Sequence, residues 1–389
     1  MRYCKECVQS DTRPGIYFSP EGVCGACLWE KEKEHIDWAS RERELQDIAD
    51  NAKAKASGPY DCAVGVSGGK DSTFQALYAR DRLGLRPLLV NCQPENITDI
   101  GRHNIENLKK LGFDVVSLRP NPKIMYELIR RDFFDCLNPL RVTEYPLWAS
   151  TYTIATHFNI PMVLQGENPG QTLGIREYTG TGGDALSILR HNTIKEDPLK
   201  RYCVDGIDSK DLFMYRIDRD AVLEKGIKAV WLSYYAKEWS QPHNAQFAIN
   251  YGLKIKPDTT DPYAHGAYRR FGGLDGRLVE VNQLFKYIKF GFGQTTDLAC
   301  YDIRDGLVTR DEGVFLVKEL DGRCADSFII DFCKYIDISP EKFWKHVNSF
   351  RGSMWENDNG EWILSEPVWE QFPVQGAYTV AALQKRLRM

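Results

Sequence analysis

Tyr60-Asp61-Cys62-Ala63-Val64-Gly65-Val66-Ser67-Gly68-Gly69-Lys70-Asp71-Ser72 is the stretch whose reading decides the fold. Residues 60–66 form a short apolar run, a Gly-rich hexapeptide follows, and 73–83 carry helical periodicity that stops at Gly84. A strand that runs through a glycine turn into a helix is the opening unit of an α/β sheet. Working outward, the pattern repeats: strand 87–92, helix 102–111, strand 113–118, helices 122–136 and 146–158, then strand 161–165 ending on Gly166-Glu167. A fifth strand is expected near 227–233, before the aromatic run 234–239. Strands alternating with helices of this length predict a doubly wound parallel sheet. Ligands of such sheets lie beyond the strand C-termini at a switch point, which makes the hexapeptide and Gly166-Glu167 walls of one expected pocket.

The hexapeptide has a definite chemistry. Adjacent glycines let the backbone approach an oxyanion and adopt positive φ. Their amides and the first free N–H groups of the next helix form an anion site, with Ser67 and Ser72 as hydroxyl donors and Lys70 as a charge. Asp71 repels phosphates unless it holds Mg²⁺ or anchors the loop. Register excludes the two commoner nucleotide loops. A Walker A loop needs glycine where Val64 stands and a hydroxyl residue where Asp71 stands, and the dinucleotide fingerprint fails at Ser67, two after Gly65.

The N-terminus reads as a separate module. Cys4/Cys7 and Cys24/Cys27 are two CxxC knuckles separated by sixteen residues, the spacing of a four-thiolate zinc site. Four thiolates leave no open coordination position, so the ion is structural, with an iron–sulfur cluster as competitor. Ile16-Tyr17-Phe18 is expected as a short strand between the knuckles. The expected organisation is a zinc module at 1–30, a linker helix over 31–58 and a nucleotide domain at 59–235 with an insertion at 168–225. A mostly helical C-terminal region, 236–389, completes the substrate site. In the insertion, Arg176, Arg190 and Arg201 are candidates for a substrate carboxylate or diphosphate.

With 43% hydrophobic and 27% charged residues in 389, the chain is of ordinary globular composition and long enough for more than one domain. A net charge of −4 gives no global field toward nucleic acid or anionic lipid. No apolar N-terminal signal or spanning stretch is read, so no membrane insertion and a cytoplasmic location are expected.

Ser67 to Ser72 resembles the SGGxDS signature of PP-loop ATP pyrophosphatases, which implies cleavage of ATP between the α and β phosphates. The resemblance also implies ATP contacts at Asn91, at the end of the second strand, and from Lys286 or Lys289. Taken together, several features resemble the N-acetyl sugar amidotransferase family of surface-polysaccharide biosynthesis. These are the cysteine pairs, the loop, Gly166-Glu167, Tyr287-Ile288-Lys289-Phe290-Gly291-Phe292-Gly293 and Thr309-Arg310-Asp311-Glu312-Gly313. That resemblance implies an ATP- and Mg²⁺-dependent enzyme that converts an acetamido group of a nucleotide-sugar to an acetamidine through an O-adenylated intermediate. It implies ammonia from a separate glutaminase subunit with a cyclase-like barrel subunit. Asp71 and Glu167 are the candidate catalytic carboxylates; Glu167 orients acceptor or ammonia, caps a helix or binds Mg²⁺. The rival enzyme is a zinc-containing PP-loop tRNA thiolase, disfavoured by the acidic chain and by the lack of a CxxC after residue 27. A non-enzymatic nucleotide sensor is the remaining class.

Overall fold

The computed structural model describes residues 1–387 apart from 192 and 205. A five-stranded sheet is formed by β1 (Cys62–Gly65), β2 (Pro87–Cys92), β3 (Val115–Leu118), β4 (Met162–Gln165) and β5 (Lys228–Trp231). All four pairings are parallel and the order is β3-β2-β1-β4-β5. The chain winds outward from β1 through β2 to β3, then returns to the other side of β1 for β4 and β5. The switch point therefore lies between β1 and β4, as the doubly wound reading requires.

The three inner strands β2, β1 and β4 are buried on both faces, which is why they read as unbroken apolar runs, whereas the edge strand β3 is only half-buried. Cys62, Ala63 and Val64 of β1 are fully buried, as are Met162, Val163 and Leu164 of β4. Helix Pro122–Cys136 begins where expected because Asn121 caps the Lys123 amide and Pro122 occupies its first turn. Helix Arg141–His157 crosses β1 closely: a Cβ on Gly65 would stand 2.6 Å from Thr151 Oγ1. The expected linker helix is two helices, Gly25–Glu32 and Trp38–Lys55, split by a short turn. Between the cysteine knuckles, 16–18 form no strand, only an isolated bridge from Phe18 to Cys24.

The 168–225 region contains short helical turns. The C-terminal region is helical, with Val279–Phe290, Gln294–Arg304, Arg310–Leu320, Asp326–Tyr335 and Pro340–Asn348. It also carries an antiparallel hairpin, β6 (Trp355–Asp358) and β7 (Glu361–Leu364). Helices 279–290, 326–335 and 340–348 share one core with the sheet: Phe133, Phe285, Phe332 and Phe343 pack together there. These helices thus pack on the sheet face that also carries helices Pro122–Cys136 and Arg141–His157. No helix among the described residues is long and apolar enough to cross a membrane.

Candidate active site and metal centre

The glycine loop leaves β1 and is held from below. Val66 donates its N–H to Val90 O, and Asn91 Nδ2 donates to Val66 O at 2.8 Å. Asn91 is buried, and its Oδ1 has no partner. Gly68 sits at φ +82°, with an added Cβ 3.1 Å from Gly101 O. A side chain there would be strained by its backbone and crowded as well. Asn104 fixes this turn, donating to Gly68 O at 2.9 Å.

Helix Lys70–Leu77 then starts from Gly69 with no side-chain cap. Its first-turn amides therefore have no side-chain acceptor, a geometry compatible with the anion site expected from the sequence. Ser72 Oγ and Thr73 Oγ1 both donate back to Gly69 O, at 3.2 and 2.9 Å. Ser67 and Gly69 remain partly accessible. Lys70 is buried over the Phe271 ring and donates to Asp71 Oδ2 at 2.7 Å. Asp71 Oδ1 accepts from Asn244 Nδ2 at 2.9 Å, so this carboxylate anchors the loop to helix Gln241–Asn250.

Across the switch point, β4 delivers Gly166 and Glu167. Gln75 of the loop helix donates to Leu164 O, and a Cβ on Gly166 would be 3.0 Å from Trp239. Glu167 accepts from Tyr301 OH at 3.3 Å. Burial pushes the Glu167 carboxyl up, the nearby Asp71 charge adds to this, and Lys70 opposes it. Two carboxylates that repel one another beside the expected anion site suit a divalent cation between protein and phosphate. Further unpartnered polar atoms, Thr151 Oγ1 and Gln165 Nε2, are buried around the same strand ends.

Not every expected residue converges here. Lys289 donates to Cys136 O at 3.2 Å and lines a cavity with Arg13, Lys286 and Asp297. The suggested arginines are already engaged: Arg176 with Glu32 and Gly25 O, Arg190 with Thr179 O, Arg201 with Asp132 and Glu196. Asn244, Gln75, Asn104 and Tyr301 were not read from the sequence. Ser240, which caps helix 241–250, and Pro242 in its first turn were the one local signal for Asn244.

The four cysteines do converge. Cys4, Cys7, Cys24 and Cys27 are buried with their sulfurs within 4.8 Å of one another. Cys4 and Cys27 sulfurs are 3.9 Å apart, and those of Cys7 and Cys24 are 3.7 Å apart. A tetrahedron with Zn–S bonds of about 2.3 Å has edges of about 3.8 Å, so the thiolates fit a metal such as zinc. Backbone N–H groups of Glu6 and Cys24 point at Cys4 Sγ. Arg310 donates to the carbonyls of Cys4 and Cys7, at 2.8 and 3.1 Å, and stacks on Phe372. In the 309–313 motif, Thr309 and Glu312 form a capping box and Arg310 clamps the cysteine module. That motif is architectural.

Residues 265–368 match the family model described as LPS biosynthesis protein WbpG-like, C-terminal domain. This segment is similar to the C-terminal domain of WbpG-like LPS biosynthesis proteins. It contributes Tyr301 to the cleft, Arg310 to the metal centre and aromatic packing to the sheet face. Comparison with curated proteins gave no match. Among solved structures, the NMN synthetase of Francisella tularensis aligns with 57% of this chain and 99% of that one. Its identity is 14% and its TM-score 0.27, a likeness that adds nothing to the strand order.

Proposed function

We propose that the chain is an ATP-dependent amidotransferase acting on a nucleotide-activated acetamido sugar in LPS or surface-glycan biosynthesis. The observation that carries this is the meeting of an uncapped glycine loop with Glu167 beside a WbpG-like C-terminal segment. In this reading Gly68 to Ser72 bind the β and γ phosphates of ATP, and the acetamido carbonyl oxygen attacks the α-phosphorus. Pyrophosphate leaves, and the acceptor is held as its O-adenyl imidate with loss of the amide proton. Ammonia then adds at the imidate carbon and AMP leaves, giving the acetamidine. The activation is needed because an amide carbon resists ammonia until its oxygen becomes a good leaving group.

Loop amides would stabilise charge growing on the departing pyrophosphate. Asp71 and Glu167 would hold Mg²⁺, which supplies electrostatic stabilisation of the phosphates. Glu167, fixed by Tyr301, would orient acceptor or ammonia. A separate glutaminase with a barrel-shaped partner is part of the proposal, supported by five thiols outside the metal centre that burial makes poor nucleophiles. Burial pushes Cys92 and Cys324 up to about 12, and raises Cys62, Cys136 and Cys333.

The test is AMP release by purified protein with ATP, ammonium chloride and a diacetamido nucleotide-sugar, against unmodified tRNA. AMP with the sugar alone is expected. AMP with tRNA alone would replace this reading by the thiolase.

A further inference from the structure

The cavity that receives Lys289 has a composition the ATP loop does not explain. It measures about 220 Å³ and lies where four parts of the chain meet. The cysteine module brings Arg13, the start of helix Arg141–His157 brings Glu144, the 168–225 segment brings His191, and helix Val279–Phe290 brings Gln283, Lys286 and Lys289. Arg13 and Lys286 both pair with Asp297, whose helix also carries Tyr301, the partner of Glu167. The cavity and the ATP loop are therefore linked through one helix, Gln294–Arg304.

Its charges do not balance. Three cations, Arg13, Lys286 and Lys289, face one paired carboxylate, Asp297, and Lys289 has no carboxylate partner among the described residues. Counting Glu144 as ionised still leaves one positive charge uncompensated. His191 adds none, because burial, helped by Arg13, lowers it to about 4. A buried surplus of positive charge is costly unless an anion enters. Among the described residues two acceptors also stand unpartnered, Glu144 Oε2 and Gln283 Oε1. An anion alone cannot satisfy them; they require donors such as hydroxyls.

We infer that this cavity is a subsite for a sugar phosphate, with Lys289, Lys286 and Arg13 on the phosphate and Glu144 and Gln283 on adjacent hydroxyls. It rests on the reading that a phosphate-bearing sugar shares the cleft with ATP. The volume is below the ~300–1,000 Å³ of pockets that enclose a whole drug-sized ligand, so the subsite takes one sugar-phosphate unit. That unit comes from the nucleotide-sugar or from the ribose phosphate of ATP. The cysteine module thereby gains a second part: through Arg13 it forms a wall of the substrate cleft.

Calorimetric binding to the intact metal-loaded protein tests this without turnover, so it stands apart from the failure of any one reaction. The probes are N-acetylglucosamine 1-phosphate and a non-hydrolysable ATP analogue. Lys289→Gln is expected to weaken the sugar phosphate roughly 10- to 100-fold, the worth of a charge-assisted hydrogen bond. Gln283→Leu, which removes no hydrogen bond among the described residues, should weaken it several-fold. Gly68→Ala should weaken the ATP analogue and leave the sugar phosphate unchanged. If both cavity variants instead weaken only the ATP analogue, the unit bound is the ribose phosphate. Unchanged affinity of both probes in Lys289→Gln and Gln283→Leu would overturn the subsite.

Discussion

The cysteine centre and the glycine loop are both built from short motifs, yet they are finished in opposite ways. At the cysteine centre every ligand is buried, its sulfur neighbours already stand at tetrahedral spacing, and Arg310 closes the outer side. At the loop the first helical turn has no cap, and Asn91 Oδ1, Thr151 Oγ1 and Gln165 Nε2 lack partners. One site is closed around what completes it. The other keeps its donors and acceptors free for a molecule that arrives and leaves. A structural centre and a reaction site can thus be told apart by how much hydrogen bonding each leaves undone.

The strongest way to break this contrast is at the closed site. Cys24→Ser should release the metal and cost roughly 5 kcal/mol or more, because metal binding and folding of such a module are one equilibrium. The checks are metal content and the thermal midpoint; full stability without metal would show the centre is not architectural. At the open site, Gly68→Ala should leave the fold intact and lower kcat/KM for ATP about 100-fold. It combines an unfavourable positive φ with a Cβ set against Gly101 O. Steady-state AMP formation measures it.

Glu167→Gln should lower kcat about 100-fold with KM for ATP little changed. Because burial and Asp71 raise the Glu167 carboxyl, a base function should give a pH–rate profile rising above the ordinary carboxylate range. That limb should vanish in the variant, whereas a merely capping role would leave it in place.

The smallest effect sharpens the comparison away from both sites. Both carboxyl oxygens of Glu95 are shut away from solvent, and burial, with Asp275 nearby, pushes its carboxyl up to about 7. Between about pH 4.5 and 7 the unfolded chain releases this proton while the folded chain keeps it, so stability falls as pH rises. Glu95→Gln should therefore stabilise the protein at pH 8, by about 3 kcal/mol, and do little at pH 4. Denaturant midpoints at the two pH values decide this.

Much of the architecture could be read because its signals are local. β2 spans 87–92 and the third helix 122–136 as expected, the first from a buried apolar run and the second from Asn121-Pro122. The Asn359-Gly360 pair, both at positive φ, marks the β6–β7 hairpin and was passed over among the tryptophans around it. Around the hairpin, Trp355 and Trp362 flank Arg351, while Trp369 and Phe372 pack on the cysteine module.

The site was legible only as far as it follows the strands. Ser67 to Ser72, Asn91 and Glu167 lie on or directly after β1, β2 and β4, so their placement follows from topology. Asn244 was not found because it is a polar residue on a buried helix face, buried to hold Asp71, and apolar periodicity does not register such a residue. Tyr301 reaches Glu167 across 134 positions of sequence, which no local pattern encodes. Lys289 shows the converse, a motif residue whose cation serves the neighbouring cavity.

The central claim is that an acceptor oxygen attacks the α-phosphorus of ATP, and isotope transfer tests it most directly. The acetamido carbonyl of the nucleotide-sugar is labelled with ¹⁸O, and the AMP formed with ammonium present is analysed by mass spectrometry. The account predicts one ¹⁸O atom per AMP, with pyrophosphate released in equal amount. AMP without the label, or ADP with inorganic phosphate in place of AMP, would contradict it.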